Sequence, residues 1–466
     1  MKHLVLLVGL LVGMQLSLHA QSIRFEKDSL NLVLAKARQQ DKPVLLLFAP
    51  PPPATNLPDA LKAERNKSGL QAPAVAGKLN QSFLTKELAF GTAEAGVAAR
   101  RYKVAAYPSY LYLNSDGNLL YRRQGNSSEA APYLQDLEAV RQAQQDPQNL
   151  SRLTAEFGRG NRDGQLLKQY VLKLRGLRLP VPPAVLDAYA RQLPAQALYQ
   201  PAEVLFILES GPVVGSQAFQ LSHLSQPLID SLYRALPLPR RIAFNNLIIS
   251  NTMAQATVTK DRSLAEKGAN FARGTWNSDY ARGSRVYERD MLAFYQSIKD
   301  TAAYLRQAVS YYERYYLNLP PDSVKKALET LRVSRQQQPL LLQRLDSAAR
   351  QRAAGHAPTT HSTVVQSVGS PSASFLQELN NGAWAIYQTG TRTKNYLWRA
   401  VVWSKRTVDL DPTAYNNDTL AHLLYRLGFY AEAEAREQQA VELARQGKLP
   451  SRMYEQEIAK MKKRQL

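Results

Sequence analysis

One proline, set between an aromatic residue and a serine at the head of an apolar strand, narrows the folds open to this chain more than any other feature. The stretch runs Tyr102-Lys103-Val104-Ala105-Ala106-Tyr107-Pro108-Ser109-Tyr110-Leu111-Tyr112-Leu113-Asn114-Ser115-Asp116-Gly117. It reads as the end of a helix, a turn holding Pro108, and a strand that closes in a hairpin at Asp116-Gly117. Tyr110 to Leu113 is aromatic and aliphatic throughout, as a buried strand should be, and Leu119, Leu120 and Tyr121 supply the returning partner. Upstream, Ser22 to Phe48 reads as strand, helix, strand, with the helix over Ser29 to Gln40. Between these segments a helix is expected at Ala74 to Asn80, a strand at Phe83 to Phe90, and a helix at Ala93 to Tyr102 with Val97, Ala98 and Tyr102 on one side. Tyr133, Leu134, Leu137 and Val140 give the apolar face of a closing helix over Ala131 to Ala143.

From about Ile23 to Val140 this pattern resembles a thioredoxin-like fold. That family writes a helix, Tyr-x-Val, one or two small residues, an aromatic, Pro, Ser or Thr, an apolar strand and Asp-Gly, then Gly after a second strand, here Gly125. Asp41-Lys42-Pro43-Val44-Leu45-Leu46-Leu47-Phe48 looks like the family's turn and central parallel strand. The resemblance implies a cis peptide bond before Pro108 and a substrate groove beside it. It also implies Trp-Cys-x-x-Cys directly after the central strand, where this chain has Ala49-Pro50-Pro51-Pro52-Pro53-Ala54-Thr55-Asn56.

That departure governs the functional reading, because the chain contains no cysteine. Thiol-disulfide exchange needs a thiolate nucleophile, so redox catalysis by this chain alone is excluded. With the phenylalanines aligned, Leu47 also stands where many thioredoxins carry a buried acid. Pro50 to Pro53 lack amide donors and have φ fixed, which makes them a stiff extended loop over the place of a redox site. The candidate binding residues are therefore Tyr107, Pro108 and Ser109, with Pro51 and Pro52 across the groove. No catalytic residue, metal or cofactor is expected, since no Gly-rich phosphate loop, His-Glu-x-x-His or Gly-x-Ser-x-Gly occurs.

The 466 residues exceed one ordinary core. Met1 to Ala20, with Lys2, an apolar run from Leu4 to Leu16 and Leu18-His19-Ala20 before Gln21, has the layout of a removable secretory signal; an uncleaved anchor is the alternative. No later run approaches membrane-spanning length, so the expected address is periplasmic or secreted. A formal charge of +21 could attract polyanions, but the basic residues are scattered and only Lys460 to Arg464 clusters. Nucleic acid is not expected as a partner of an exported chain, whereas an acidic envelope surface stays open.

From residue 146 to 352 the apolar spacing is helical: Leu150, Leu153 and Phe157; Leu166, Leu167, Tyr170, Val171 and Leu174; Val185, Leu186, Tyr189 and Leu193. Longer helices follow, and Pro339 is expected to end or kink one of them. The Tyr311-Tyr312 and Tyr315-Tyr316 doublets suit packing between hairpins, with a ligand-gripping groove as the alternative. Residues 353–373 read as a flexible linker holding His356 and His361, while His223 and His422 show no evident companions. In 374–466, Leu420-Ala421, Leu424, Leu427-Gly428, Tyr430, Ala433 and Ala440 resemble a tetratricopeptide repeat, except that an aromatic is expected near Glu437. A preceding repeat is suggested by Asn380 to Trp384, Leu397, Ala400, Thr407 and Asp411-Pro412.

The expected organisation is thus a signal at 1–20, an α/β thioredoxin-like domain without redox cysteines at 22–145, all-α hairpins at 146–352, the linker, and repeat-like helices at 374–466. The expected function is that of an exported, non-catalytic protein binding polypeptide partners through the groove and the helical repeats. The alternative is an accessory subunit of a thiol-disulfide or cytochrome-maturation pathway whose cysteines lie on a partner.

Overall fold

In the computed structural model, the described residues are 22–53, 57–354, 374–447 and 449–466. The expected signal and nearly all of the expected linker, with His356 and His361, lie outside them. The chain divides into two compact units. One holds the described residues up to Pro52 together with Asn66–Thr154; the other holds Pro53–Arg65 and the chain from Ala155 onward. Among the described residues no helix is long and apolar enough to cross a membrane.

The first unit is built on four strands: β1 (Val44–Phe48), β2 (Leu84–Leu88), β3 (Ser109–Leu113) and β4 (Leu119–Gln124). They form one mixed sheet in the order β2-β1-β3-β4. β1 runs parallel to β2, with Val44 opposite Leu84, and antiparallel to β3, with Phe48 opposite Ser109. β3 and β4 are the hairpin, turned at Gly117 with φ of 83°. All five residues of β3 are buried, and four of the five in β1, which is why both read as continuous apolar runs rather than alternating ones. The expected first strand is reduced to an isolated parallel bridge between Phe25 and Thr85, supported by the Glu26 N–H donating to the Thr85 carbonyl at 2.7 Å.

Helices α1 (Leu30–Gln40), α3 (Pro73–Ser82), α4 (Ala93–Tyr102) and α5 (Ala131–Gln145) belong to this unit, while α2 (Asp59–Asn66) belongs to the other. Leu45, Val75, Leu79, Tyr110, Tyr112, Tyr133 and Val140 make a core against one face of the sheet. On α4 the buried residues are Ala95, Ala98 and Tyr102, and Val97 is 59% exposed. Ala98 and Tyr102 thus lie on the buried side as the sequence suggests, with Ala95 there in place of Val97. Lys86, in β2 and nearly fully buried, pairs with Glu94 at 3.4 Å. The same carboxylate accepts the Leu30 N–H at the start of α1 at 2.5 Å, where a helix has unsatisfied donors. Gly69 is required by proximity: a Cβ there would lie 2.0 Å from the Glu129 carbonyl oxygen.

The second unit is helical throughout its described residues. Aspartates at the starts of α7 (Gly164–Gly176), α13 (Arg262–Gly274), α14 (Tyr280–Ser297) and α15 (Thr301–Tyr312) each accept a backbone N–H three residues on, at 2.8 to 3.0 Å. Proline in the first turn, where no donor is needed, opens α8 (Pro183–Gln192), α9 (Pro201–Glu209), α11 (Gln226–Ala235), α12 (Leu238–Thr259) and α16 (Pro321–Ala353). The division between the units falls within α6 (Leu150–Gly158), and a shorter piece, α10 (Gln217–Ser222), lies in the early part of the second. The series ends in α17 (Ser374–Gln388), α18 (Lys394–Leu410), α19 (Ala414–Leu427), α20 (Tyr430–Gln446) and α21 (Arg452–Lys462), each packed on the next. Small buried residues set their close approach: Ala383, Ala400, Ala421, Ala433 and Ala440 are all fully buried. Gly428 ends α19 with φ of 92°.

One expectation changes here: α16 is continuous through Pro339. The tyrosine doublets serve the core, as their spacing suggests: Tyr311 and Tyr312 are buried, and Tyr312 meets the Trp403 ring at 5.3 Å.

Candidate functional site

Parallel pairing of β1 with β2, and antiparallel pairing of β1 with β3, bring the C-terminal ends of β1 and β2 and the N-terminal end of β3 to one edge of the first unit. The Ala49 N–H donates to the Leu88 carbonyl at 3.0 Å and ends the pairing there. Pro50 to Pro53 follow without regular structure, which is what four residues without amide donors dictate. Pro51 is half-buried and Pro52 exposed.

The Tyr107–Pro108 bond is cis. The Pro108 carbonyl accepts the Gly125 N–H at 3.0 Å, so the turn is tied to the end of β4. Tyr107 is half-buried, and its ring stands edge-on to Phe48 at 6.4 Å and to Phe90 at 5.2 Å. Phe48 is fully buried and Phe90 is 47% exposed. The three rings therefore step outward from the core to solvent as one aromatic shelf. Among the described residues, the backbone N–H and C=O of Tyr107 have no hydrogen-bond partner within the protein. A bend residue with free backbone donor and acceptor thus lies beside an open apolar surface.

Ser109 is placed differently from the expectation. It is 1% exposed, and its hydroxyl donates to the Ala106 carbonyl at 2.6 Å, so it braces the turn from inside and offers nothing to the groove. Phe90 is the residue that sequence reasoning missed. The pattern extends β2 to Phe90, whereas the strand stops at Leu88 and leaves Phe90 in the turn before α4. The available signal was Gly91-Thr92, since Thr92 accepts the Ala95 N–H at 3.2 Å and caps that helix.

Behind the turn, polar groups are committed to structure. The Tyr110 and Tyr133 hydroxyls both donate to Asn126 Oδ1, at 3.1 and 2.6 Å, and the Ser127 N–H donates to Tyr133 Oη at 3.0 Å. Burial, reinforced by the neighbouring Tyr133 hydroxyl, pushes the Tyr110 phenol well above its ordinary range. Burial also raises the Asp136 carboxyl, although it accepts hydrogen bonds from Tyr121 at 2.9 Å and Arg123 at 3.2 Å. Arg122 reaches the carbonyls of Tyr102 and Lys103 and so satisfies the C-terminal end of α4. The arrangement at the mouth can hold a chain by backbone pairing and apolar contact, and the Ser109 hydroxyl is turned inward.

No family model matches this chain, and no curated protein matches it. Among solved structures it is similar to one described as DsbH Oxidoreductase, with 16% identity, a TM-score of 0.22, and coverage of 27% of this chain and 91% of that one.

Proposed function

We propose that this is an exported, non-catalytic protein that binds polypeptides, with a thioredoxin-like first unit and tetratricopeptide-like hairpins in its C-terminal helices. The observation that carries the reading is the unpaired Tyr107 backbone beside the Phe48–Tyr107–Phe90 shelf. A segment in extended conformation would pair with Tyr107 through its main chain and lay an apolar side chain on Phe90. Main-chain pairing supplies affinity with little sequence demand, which suits a protein whose groove has lost the means to react with its guest. The small buried residues between α19 and α20 and the glycine turn at Gly428 support the repeat reading.

The test is fluorescence anisotropy of a labelled, reduced and carboxymethylated polypeptide titrated with the purified protein. Binding weakened about tenfold by Phe90→Ser, which removes an apolar anchor, is the expected result. Binding that is absent, or indifferent to Phe90→Ser, overturns the groove. A photo-crosslinker at Phe90 in cells then reads the partner: an adduct whose function depends on its own cysteine favours the accessory-subunit alternative. Export is checked separately by mass spectrometry of the envelope fraction, where a mature chain starting at Gln21 is expected.

A further inference from the structure

His422, which has no companion in the linear sequence beyond its own helix, sits in a cluster of buried ionisable groups. Asp418 and His422 come from α19, Glu437 from α20 and Glu457 from α21. One ligand-capable atom from each of Asp418, His422 and Glu437 lies within 4.8 Å of the others, and all three residues are buried. His422 Nδ1 lies 2.9 Å from the Asp418 carbonyl oxygen, and Nε2 lies 3.4 Å from Glu457 Oε2.

These contacts constrain the chemistry. A carbonyl oxygen only accepts, so Nδ1, which also lies 3.4 Å from Asp418 Oδ1, carries a hydrogen, and Nε2 is the nitrogen that faces the Glu457 carboxylate. A metal-binding imidazole is oriented in just this manner, with the far nitrogen donating to a backbone carbonyl. Glu437 adds an independent observation: it is 0% exposed, and neither carboxylate oxygen meets a donor. A fully buried carboxylate without a donor is costly unless a proton or a cation completes it. The rings of Trp384 and Tyr387 stand edge-on to His422 at 5.2 Å each and wall the cluster on the α17 side. Glu457, 23% exposed and paired with Lys460 at 2.7 Å, opens it to solvent.

We propose that Asp418, His422, Glu437 and Glu457 form a binding site for one divalent transition-metal cation of the zinc or manganese class. Three carboxylates and one imidazole are the donor set such ions accept, and two positive charges would offset the like charges that crowd Glu437. Ligand atoms around an ion of this kind lie about 2.0 to 2.2 Å from it, so the Asp418, His422 and Glu437 atoms, within 4.8 Å of one another, would draw together around it. The ion would join α19, α20 and α21, the last helices of the chain.

The experiment is isothermal titration of the chelator-treated full chain with zinc chloride and, separately, with manganese chloride. The variants Glu437→Gln and Glu457→Gln are measured beside it, with circular dichroism confirming their helical content. One equivalent of ion bound by the unaltered chain, and lost or sharply weakened in the folded variants, is the expected result. Glu457→Gln, at a partly exposed position, keeps the test valid if Glu437→Gln fails to fold. Absence of binding by the unaltered chain, or binding that neither folded variant changes, overturns the site and leaves a cluster that holds protons alone.

Discussion

A methyl group at Gly382 would lie 2.6 Å from the Tyr312 ring, inside any tolerable contact. Tyr312 is wedged between this backbone and Trp403, so it has little room to yield. Gly382→Ala should therefore cost about 1–3 kcal/mol, read as a lowered urea midpoint in tryptophan fluorescence. At this scale the sequence was informative where a residue's partners are near it. The tyrosine doublets were readable as packing because aromatic pairs at helical spacing meet the next helix. His422 was not, because only Asp418, one turn earlier, is visible locally, while Glu437 and Glu457 arrive on later helices. The position of Glu437 did carry a hint: an acid occupies a place where the repeat pattern wants an aromatic ring. Ser109 misled for the opposite reason, since its neighbours in sequence suggest a groove and its hydroxyl turns inward to Ala106.

Among whole elements, α16 is the one that departs from local rules. Its first half packs Val324 and Leu331 with Phe375 and Leu376, and its second half packs Leu345 and Ala349 with Leu57 and Leu61. Arg335, one turn before Pro339, is held by a two-pronged pair with Asp411 at 2.8 Å for each bond. Anchorage on both sides carries the helix across a residue that would otherwise end it, which is why the local signal failed. Pro339→Ala restores the missing amide donor, and a gain of up to about 3 kcal/mol is expected, visible as a raised midpoint in urea. A second junction is electrostatic. Glu209 at the end of α9 takes Arg240 of α12 at 2.6 Å and Arg175 of α7 at 3.0 Å. Burial would raise this carboxyl, but the two guanidinium groups outweigh it and hold it below its ordinary value. A depressed carboxyl stabilises the fold above its unfolded pKa, and that contribution fades as pH falls toward the folded one. Glu209→Gln should accordingly lower stability at pH 7 by about 1–2 kcal/mol, with the gap to the unaltered protein closing below about pH 4. Paired urea curves at the two pH values check it.

For the molecule as a whole, the succession of strands and helices along the chain, the hairpin and the helical series were legible because each rests on a local period. The composition of the second unit was not. Pro53–Arg65 joins it from near the start of the chain, and the stretch shows only Leu57 and Leu61 as apolar anchors. Glu64 and Arg352, 288 residues apart, complete the contact with a bond of 2.5 Å from Nη2 to Oε2. All four tryptophans, Trp276, Trp384, Trp398 and Trp403, lie in this second unit, so their fluorescence follows it alone. Leu61→Ala, far from them in sequence, should lower that fluorescence transition by about 2–4 kcal/mol, and a shift confined to the first unit's far-ultraviolet signal would contradict the assignment. The same contact sets an order of events at birth. α2 leaves the ribosome long before α16 exists, and at about 5–20 residues per second its apolar side waits roughly 15–60 s for a cover. Throughout that interval the nascent chain carries an uncovered helix of the kind chaperones bind, and its cover comes only with residues 321–353.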